Sequence, residues 1–149
     1  MSETLADLTA RDAVSYFKEG YACSEAVLLA FEKNTEINFS DEIKRGMSAF
    51  VEGIGGSGCI CGALSGSVFV LSSMGGRLKP DEPTDKLNKA VRKLHDAFRE
   101  EFKSACCRVI TKNASKFLGI GKFNSCHKTV DFCARQIISI SIENGWIKG

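Results

Sequence analysis

Seven cysteines are the residues best able to do chemistry in this sequence: Cys23, Cys59, Cys61, Cys106, Cys107, Cys126 and Cys133. An odd number leaves at least one thiol unpaired in any monomeric disulfide scheme, and small secreted scaffolds usually carry an even set in a loop-rich chain. Reduced thiols kept for metal, cluster or redox work fit better. Zinc sites favour C-x(2–4)-C knuckles, and no C-x-x-C occurs here. Its absence also removes the thioredoxin-type motif and the C-x-x-C-H haem attachment. An iron–sulfur cluster needs thiolates, usually four, and tolerates scattered spacings when the fold gathers them.

Taken singly, a cysteine is more often a small buried apolar residue than a ligand. Seven in one chain, three of them in or beside special backbone, reverse that reading for the set. Cys59 and Cys61 form a C-x-C pair inside the glycine-rich stretch Gly53-Ile54-Gly55-Gly56-Ser57-Gly58-Cys59-Ile60-Cys61-Gly62. The glycines free the backbone to turn sharply and to bring amide groups near Cys59 and Cys61; those amides, together with the start of the Ala63 helix, would stabilise a thiolate or an anionic sulfide-rich centre. Cys106 and Cys107 are adjacent; in such a pair one is more often a ligand and the other packing. Cys126 and Cys133 share a helical face about 10.5 Å apart, beyond disulfide range. Cys23 begins a helix, where the dipole lowers a thiol's pKa.

Other candidates are weaker. Gly53, Gly55 and Gly58 spell G-x-G-x-x-G, but a dinucleotide site needs a strand before that motif, and the residues there have helical periodicity. No nucleotide and no haem are expected. His95 reads as a helix-boundary residue and His127 as a surface one. No Ser-His-Asp or Cys-His constellation occurs, and the carboxylates read as solvated helix faces. Trp146 is expected to pack against the body.

The elements that must position these thiols are helical almost throughout. Thr9 with Asp12 reads as a capping box before Ala13, Val14 and Phe17, and Gly20 is a stop. From Cys23, Ala26, Val27, Ala30 and Phe31 share a face. Ser40 caps a third helix with the stripe Ile43, Met47, Phe50 and Val51. Ala63 to Met74 reads as a buried helix ended by Gly75-Gly76, and Gly62 and Gly66 allow another backbone to come close. Pro83 suits the start of the next helix, whose stripe is Leu87, Val91, Leu94, Phe98 and Phe102. The last helix runs from about Cys126 through Ile137–Ile142, although the alternation of Ile138, Ile140 and Ile142 also suits a strand. The expected architecture is all-α, a single-domain multi-helix bundle over residues 1–149 with a glycine-rich loop carrying cysteines.

Composition limits the partners. Twenty Lys and Arg against eighteen Asp and Glu give +2 with the signs interleaved, so no basic run marks a nucleic-acid footprint. The first twelve residues carry Glu3, Asp7 and Asp12 and do not read as a signal peptide. The stretch Ile60 to Met74 is broken by Ser and Gly and falls short of the ~20 apolar residues of a membrane span. A soluble protein of the reducing cytoplasm is expected, with no nucleic acid or membrane partner. The small-residue face of the Ala63 helix suits packing within the domain or across a homodimer.

Four segments together resemble the C-GCAxxG-C-C family of redox-active proteins. They are Gly20-Tyr21-Ala22-Cys23-Ser24-Glu25-Ala26-Val27, Cys61-Gly62-Ala63-Leu64-Ser65-Gly66, Phe102 leading to Cys107-Arg108, and Cys126 followed by Val130. The resemblance implies that the family's four cysteines fall on Cys23, Cys61, Cys107 and Cys126. Cys59, Cys106 and Cys133 are then extras, with Cys106 an alternate to Cys107 and Cys133 to Cys126. A related domain precedes the haem-binding part of split-Soret cytochromes, where an iron–sulfur centre is the implied occupant; only that non-haem part transfers. The reading is an iron–sulfur or related iron centre on those four cysteines, serving electron transfer or redox sensing for a partner protein. The lack of acid–base constellations favours a carrier over an independent enzyme. The alternatives are a metal-free thiol–disulfide protein using Cys59 with Cys61 or Cys106 with Cys107, a soft-metal protein for Cu(I) or Zn(II), and a purely structural role for the cysteines.

Overall fold

A computed structural model describes residues 2–118 and 122–149. Those residues form seven α-helices and one 3-10 turn: α1 (Leu5–Lys18), α2 (Cys23–Asn34), α3 (Asp41–Gly46), the turn Ser48–Phe50, α4 (Gly62–Gly75), α5 (Asp85–Phe102), α6 (Cys107–Leu118) and α7 (Lys122–Glu143). No strand occurs among the described residues; the one β-type pairing given is an isolated antiparallel bridge between Ile60 and Cys106. The expected all-α bundle is the observed one.

Helix α1 starts a turn earlier than Thr9-x-x-Asp12 suggests. The same spacing occurs at Thr4-x-x-Asp7, where the Asp7 amide donates to the Thr4 hydroxyl at 3.0 Å and the Thr4 amide to the Asp7 carboxylate at 3.1 Å. The earlier box wins because it adds Leu5 and Ala6 to the packed face. Thr9 instead donates to the Leu5 carbonyl at 2.8 Å from inside the helix. Asp12 turns to α2, receiving Lys33 at 3.2 Å and Asn34 at 2.9 Å. Burial pushes the Asp12 carboxyl up, but Asn34 and Lys33 outweigh it and hold the group below the usual carboxylate range.

The predicted face of α2 is the buried one: Ala26, Val27, Ala30 and Phe31 are inaccessible. The third helix is shorter than its stripe implies. Ser40 caps it as expected, at 3.4 Å from the Ile43 amide, but the helix ends at Gly46 and Phe50 lies in the separate 3-10 turn. The fully buried Ser24 donates to the Met47 carbonyl at 2.7 Å, tying off the chain where it must turn toward the glycine loop.

Gly62 and Gly66 do let a second backbone approach, and that backbone is α2. A Cβ on Gly66 would lie 2.9 Å from Ser24 Cα, and one on Gly62 would meet the Cys23 sulfur and lie 2.8 Å from the Phe50 carbonyl oxygen. On α5, Leu87, Leu94 and Phe98 are buried, with Val91 and Phe102 partly so. Pro83 precedes the N-cap Thr84 instead of opening the helix.

Helix α7 contacts α1, α2, α4, α5 and α6 and starts a turn before Cys126. Along it, Val130, Cys133, Ala134, Ile137, Ile138 and Ser141 are buried while Ile142 is 37% exposed. That is a 3.6-residue period, so the isoleucine alternation belongs to a helix. Trp146 packs its ring where Gly75 lacks a Cβ.

Candidate cysteine redox centre

The cysteines divide into inner and outer sets. Cys23, the first residue of α2, and Cys61, the N-cap of α4, are buried; so is Cys133 on α7. Cys107, the first residue of α6, and Cys126, near the start of α7, are half-buried, whereas Cys59 and Cys106 are exposed. Cys61 is the hub. It shares a small void of about 10 Å³ with Cys107, Cys126, Ile110, Thr111, Ser125 and Thr129. Cys23 interacts electrostatically with Cys61 and Cys107, and Cys133 with Cys61 and Cys23. Helices α2, α4, α6 and α7 thus supply the thiols that line this void or interact with Cys61.

The amides that reach the sulfurs do not come from the glycines. The Ala63 and Leu64 amides of the α4 start face the Cys61 sulfur, and the Thr129 hydroxyl, which donates to the Cys126 carbonyl at 3.0 Å, lies beside it. Cys23 receives the Glu52 and Ser24 amides. The glycine loop closes on itself: Gly55 donates to Ala49 at 2.8 Å, Gly58 to Glu52 at 3.0 Å and Cys59 to Gly53 at 3.0 Å. Positive φ angles at Gly53, Gly55, Gly56 and Gly58 permit this, and Glu52 and Ile54 adopt the same region at +47° and +70°, where a side chain is strained. The expected help from the start of the Ala63 helix is thus present at Cys61, whereas the expectation that loop amides serve Cys59 and Cys61 is corrected. The loop's own curl consumes them, and the residues before Gly53 form a 3-10 turn where a dinucleotide motif has a strand.

The curl delivers residues 59–61 alongside residues 105–107. The Cys61 amide donates to the Ala105 carbonyl at 2.8 Å, and the Cys107 amide to the Cys59 carbonyl. Arg108 lies over Gly58 and donates to the Ser57 carbonyl at 3.3 Å. Of the adjacent pair, Cys107 opens α6 and is half-buried, whereas Cys106, just before the helix, is exposed rather than packed.

Residues 21–140 match the family described as "Putative redox-active protein (C_GCAxxG_C_C)". The chain belongs to this family. A relative from Archaeoglobus fulgidus, whose printed name is "Uncharacterized protein", is 27% identical over 100 residues, 64% of this chain and 66% of that one. The present chain therefore spans just under two thirds of that relative's length. No solved structure matches.

By this resemblance the cysteines of the C-GCAxxG-C-C family are Cys23, Cys61, Cys107 and Cys126, the first three drawn from helix starts and the fourth from the opening turns of α7. Their electrostatics depart from a simple helix-start expectation. Burial, and then the neighbouring Cys61, push the Cys23 thiol up to about 12. The dipole at the start of α2 amounts to roughly half a charge, and it acts here in an interior where a thiolate has lost its water. Burial also raises the Cys61 thiol, against the opposing Leu64 and Ala63 amides and the Thr129 hydroxyl. Burial raises Cys133 well above the ordinary range, and Cys61 adds to it. These groups keep their protons at neutral pH. A bound cation would reverse that preference, since metal binding deprotonates its thiol ligands.

Two neighbours escaped the sequence reading. Thr129 follows Cys126 by three residues on α7, so helical spacing alone puts it on the same face, but nothing in its type marks it. Ser67 is fully buried without an oxygen or nitrogen partner, beside the Cys133 sulfur. The histidines stand apart: His95 pairs with Asp96 at 3.0 Å, and His127, read as a surface residue, is half-buried with its ring edge-on to Phe17 at 5.2 Å between centroids.

Proposed function

We propose that Cys23, Cys61, Cys107 and Cys126 bind an iron–sulfur centre, and that the protein is a cytoplasmic electron carrier or redox sensor for a partner protein. What supports this reading is that Cys107 and Cys126 share a void with Cys61 while Cys23 interacts with both Cys61 and Cys107, the four coming from four separate helices. The donors fit such a centre in kind and number. When bound, it supplies one-electron redox chemistry. The chain's own contribution is positional: Gly62 lets Cys23 come against the α4 start, amide and hydroxyl donors face two of the sulfurs, and the bundle excludes water from that side.

Space is the remaining requirement. A void of about 10 Å³ holds about one water, so room for a cluster must come from the half-buried side, where Cys107 and Cys126 lie. This small void favours a second reading, metal-free dithiol chemistry among the same cysteines. A mononuclear Zn(II) or Cu(I) site is less well supported, because among the described residues no three Cys, His, Asp or Glu side chains gather closely enough around one point. A cluster spreads its thiolates further apart than a single ion does.

The test is protein purified without oxygen and assayed for absorption, iron and acid-labile sulfide. Broad absorption near ~400 nm with iron and sulfide in comparable amounts is expected. Colourless protein that stays so after reconstitution would transfer the function to dithiol chemistry.

A further inference from the structure

The bridge between residues 59–61 and 105–107 defines a register with a chemical consequence. Ile60 and Cys106 are the bridged pair. They are flanked by the bonds from the Cys61 amide to Ala105 and from the Cys107 amide to Cys59. The second of these bonds sets Cys59 beside Cys107, the first residue of α6, across the two segments. A single amide-to-carbonyl bond keeps the two Cα atoms within roughly 6 Å, near the spacing of cross-strand neighbours and inside the roughly 4.4–6.8 Å range of a disulfide. The close seat of Arg108 on Gly58, where a Cβ would lie 3.0 Å from the Arg108 Cβ, holds the segments together one residue further along.

The pairings suggested by spacing alone are worse. Cys59 and Cys61 are two strand steps apart, about 6.7 Å, at the far edge of that range. Cys106 is exposed while Cys107 opens α6 and lines the void with Cys61. Of the cross-segment pair, Cys59 is exposed and Cys107 half-buried, so one thiol meets solvent while the other waits behind it.

We infer that Cys59 and Cys107 form a thiol–disulfide exchange pair, with Cys59 the attacking thiol and Cys107 the resolving one, acting on small carboxylate-bearing disulfides. The Cys59 thiolate attacks one sulfur of the incoming disulfide, forming a mixed disulfide and releasing the first thiol. Cys107 then attacks the Cys59 sulfur, closing the Cys59–Cys107 disulfide and releasing the second. Two cysteine thiols are oxidised, one disulfide is reduced to two thiols, and two protons pass with the two electrons. The Arg108 guanidinium beside Gly58 supplies positive charge at the approach to Cys59, which suits a carboxylate-bearing disulfide. A further consequence rests on the iron–sulfur reading: closing this disulfide withdraws Cys107 from the inner set, so oxidation at the surface and occupancy of the centre exclude one another.

The probe is oxidised glutathione, applied to reduced, metal-free full-length protein, with products mapped by mass spectrometry without reductant. Wild type and Cys106→Ser are expected to give the intramolecular cross-link equally. Cys59→Ser and Cys107→Ser are expected to lose it at least ten-fold, and Cys107→Ser to accumulate the Cys59–glutathione adduct. Circular dichroism confirms folding, and Cys107→Ala serves as the second variant at the less exposed position. A cross-link that survives Cys59→Ser, or adducts on Cys59 with no cross-link in wild type, overturns the pair. In iron-loaded protein, a cross-link formed without loss of iron overturns the coupling to the centre and leaves the exchange pair standing.

Discussion

Cys59 and Cys61 lie on the same short segment with one residue between them, yet the first is exposed and the second is buried against donors from two helices. The contrast repeats across the bridge, where Cys106 is exposed and Cys107 half-buried. Residue type is identical in all four cases, so backbone direction and the element that follows assign the roles. Cys61 caps α4 and Cys107 opens α6, and each is drawn inward with its helix. Cys59 ends the self-bonded glycine loop and has no helix to carry it in.

Alkylation separates the two sets by the widest margin. Native metal-free protein exposed to iodoacetamide should label Cys59 and Cys106 first, with Cys23, Cys61 and Cys133 slower by a factor of a hundred or more, because the inner thiols react only through opening of the bundle. Uniform labelling would erase the division. Iron content tests the same contrast in the loaded protein: Cys61→Ser should lower iron and colour at least ten-fold, whereas Cys59→Ser should retain both. If Cys59→Ser lost its iron as completely, the outer set would have to be counted among the ligands.

Two glycines sharpen the comparison at the level of stability. Gly62→Ala drives a methyl group into the Cys23 sulfur and the Phe50 carbonyl, and should cost about 3 kcal/mol. Gly55→Ala meets open space at φ +57° and should cost only the left-handed strain, roughly 1–2 kcal/mol. Each kcal/mol moves the melting temperature by about 2–4 °C at this size; a larger shift from Gly55→Ala would place the critical contact in the loop rather than between α2 and α4.

The smallest effect is on the alkaline side. Cys23 keeps its proton in the folded state up to about pH 12, against an ordinary value of 9.0. Above pH 9 the unfolded chain therefore binds fewer protons than the native one, and stability falls as pH rises, by about 1.4 kcal/mol per unit for each such thiol. Urea unfolding of metal-free protein at pH 8 and pH 10.5 should show the decline, and Cys23→Ala should lessen it by one thiol's share, Cys61 and Cys133 keeping theirs. Equal slopes in the two proteins would mean that other groups control it.

Periodicity made most of the bundle legible. The faces of α2 and α5, the close approach at Gly62 and Gly66, and the helix starts at Cys23 and Ser40 all follow from spacing and side-chain type. What escaped depends on competition between equal local signals or on the fold as a whole. Thr4 and Thr9 offer the same capping pattern, and only the burial gained by Leu5 and Ala6 decides between them. The Cys23 thiol shift runs opposite to the helix-start rule because α2 begins inside the core, which no local pattern reports. The partnership of Cys59 with Cys107 is likewise set by a bridge between distant segments, invisible in C-x-C or C-C spacing.

Trp146, seated on Gly75, is the only tryptophan in the chain. Helix α4 runs from Gly62 to Gly75, about 20 Å by helical rise, so the indole stands at one end of a rigid rod with Cys61 at the other. That separation is short enough for excitation energy to pass from the indole to an absorber at the opposite end. Fluorescence from this one side chain is thus an optical ruler for whatever the cysteines hold, readable in dilute solution without labelling the protein.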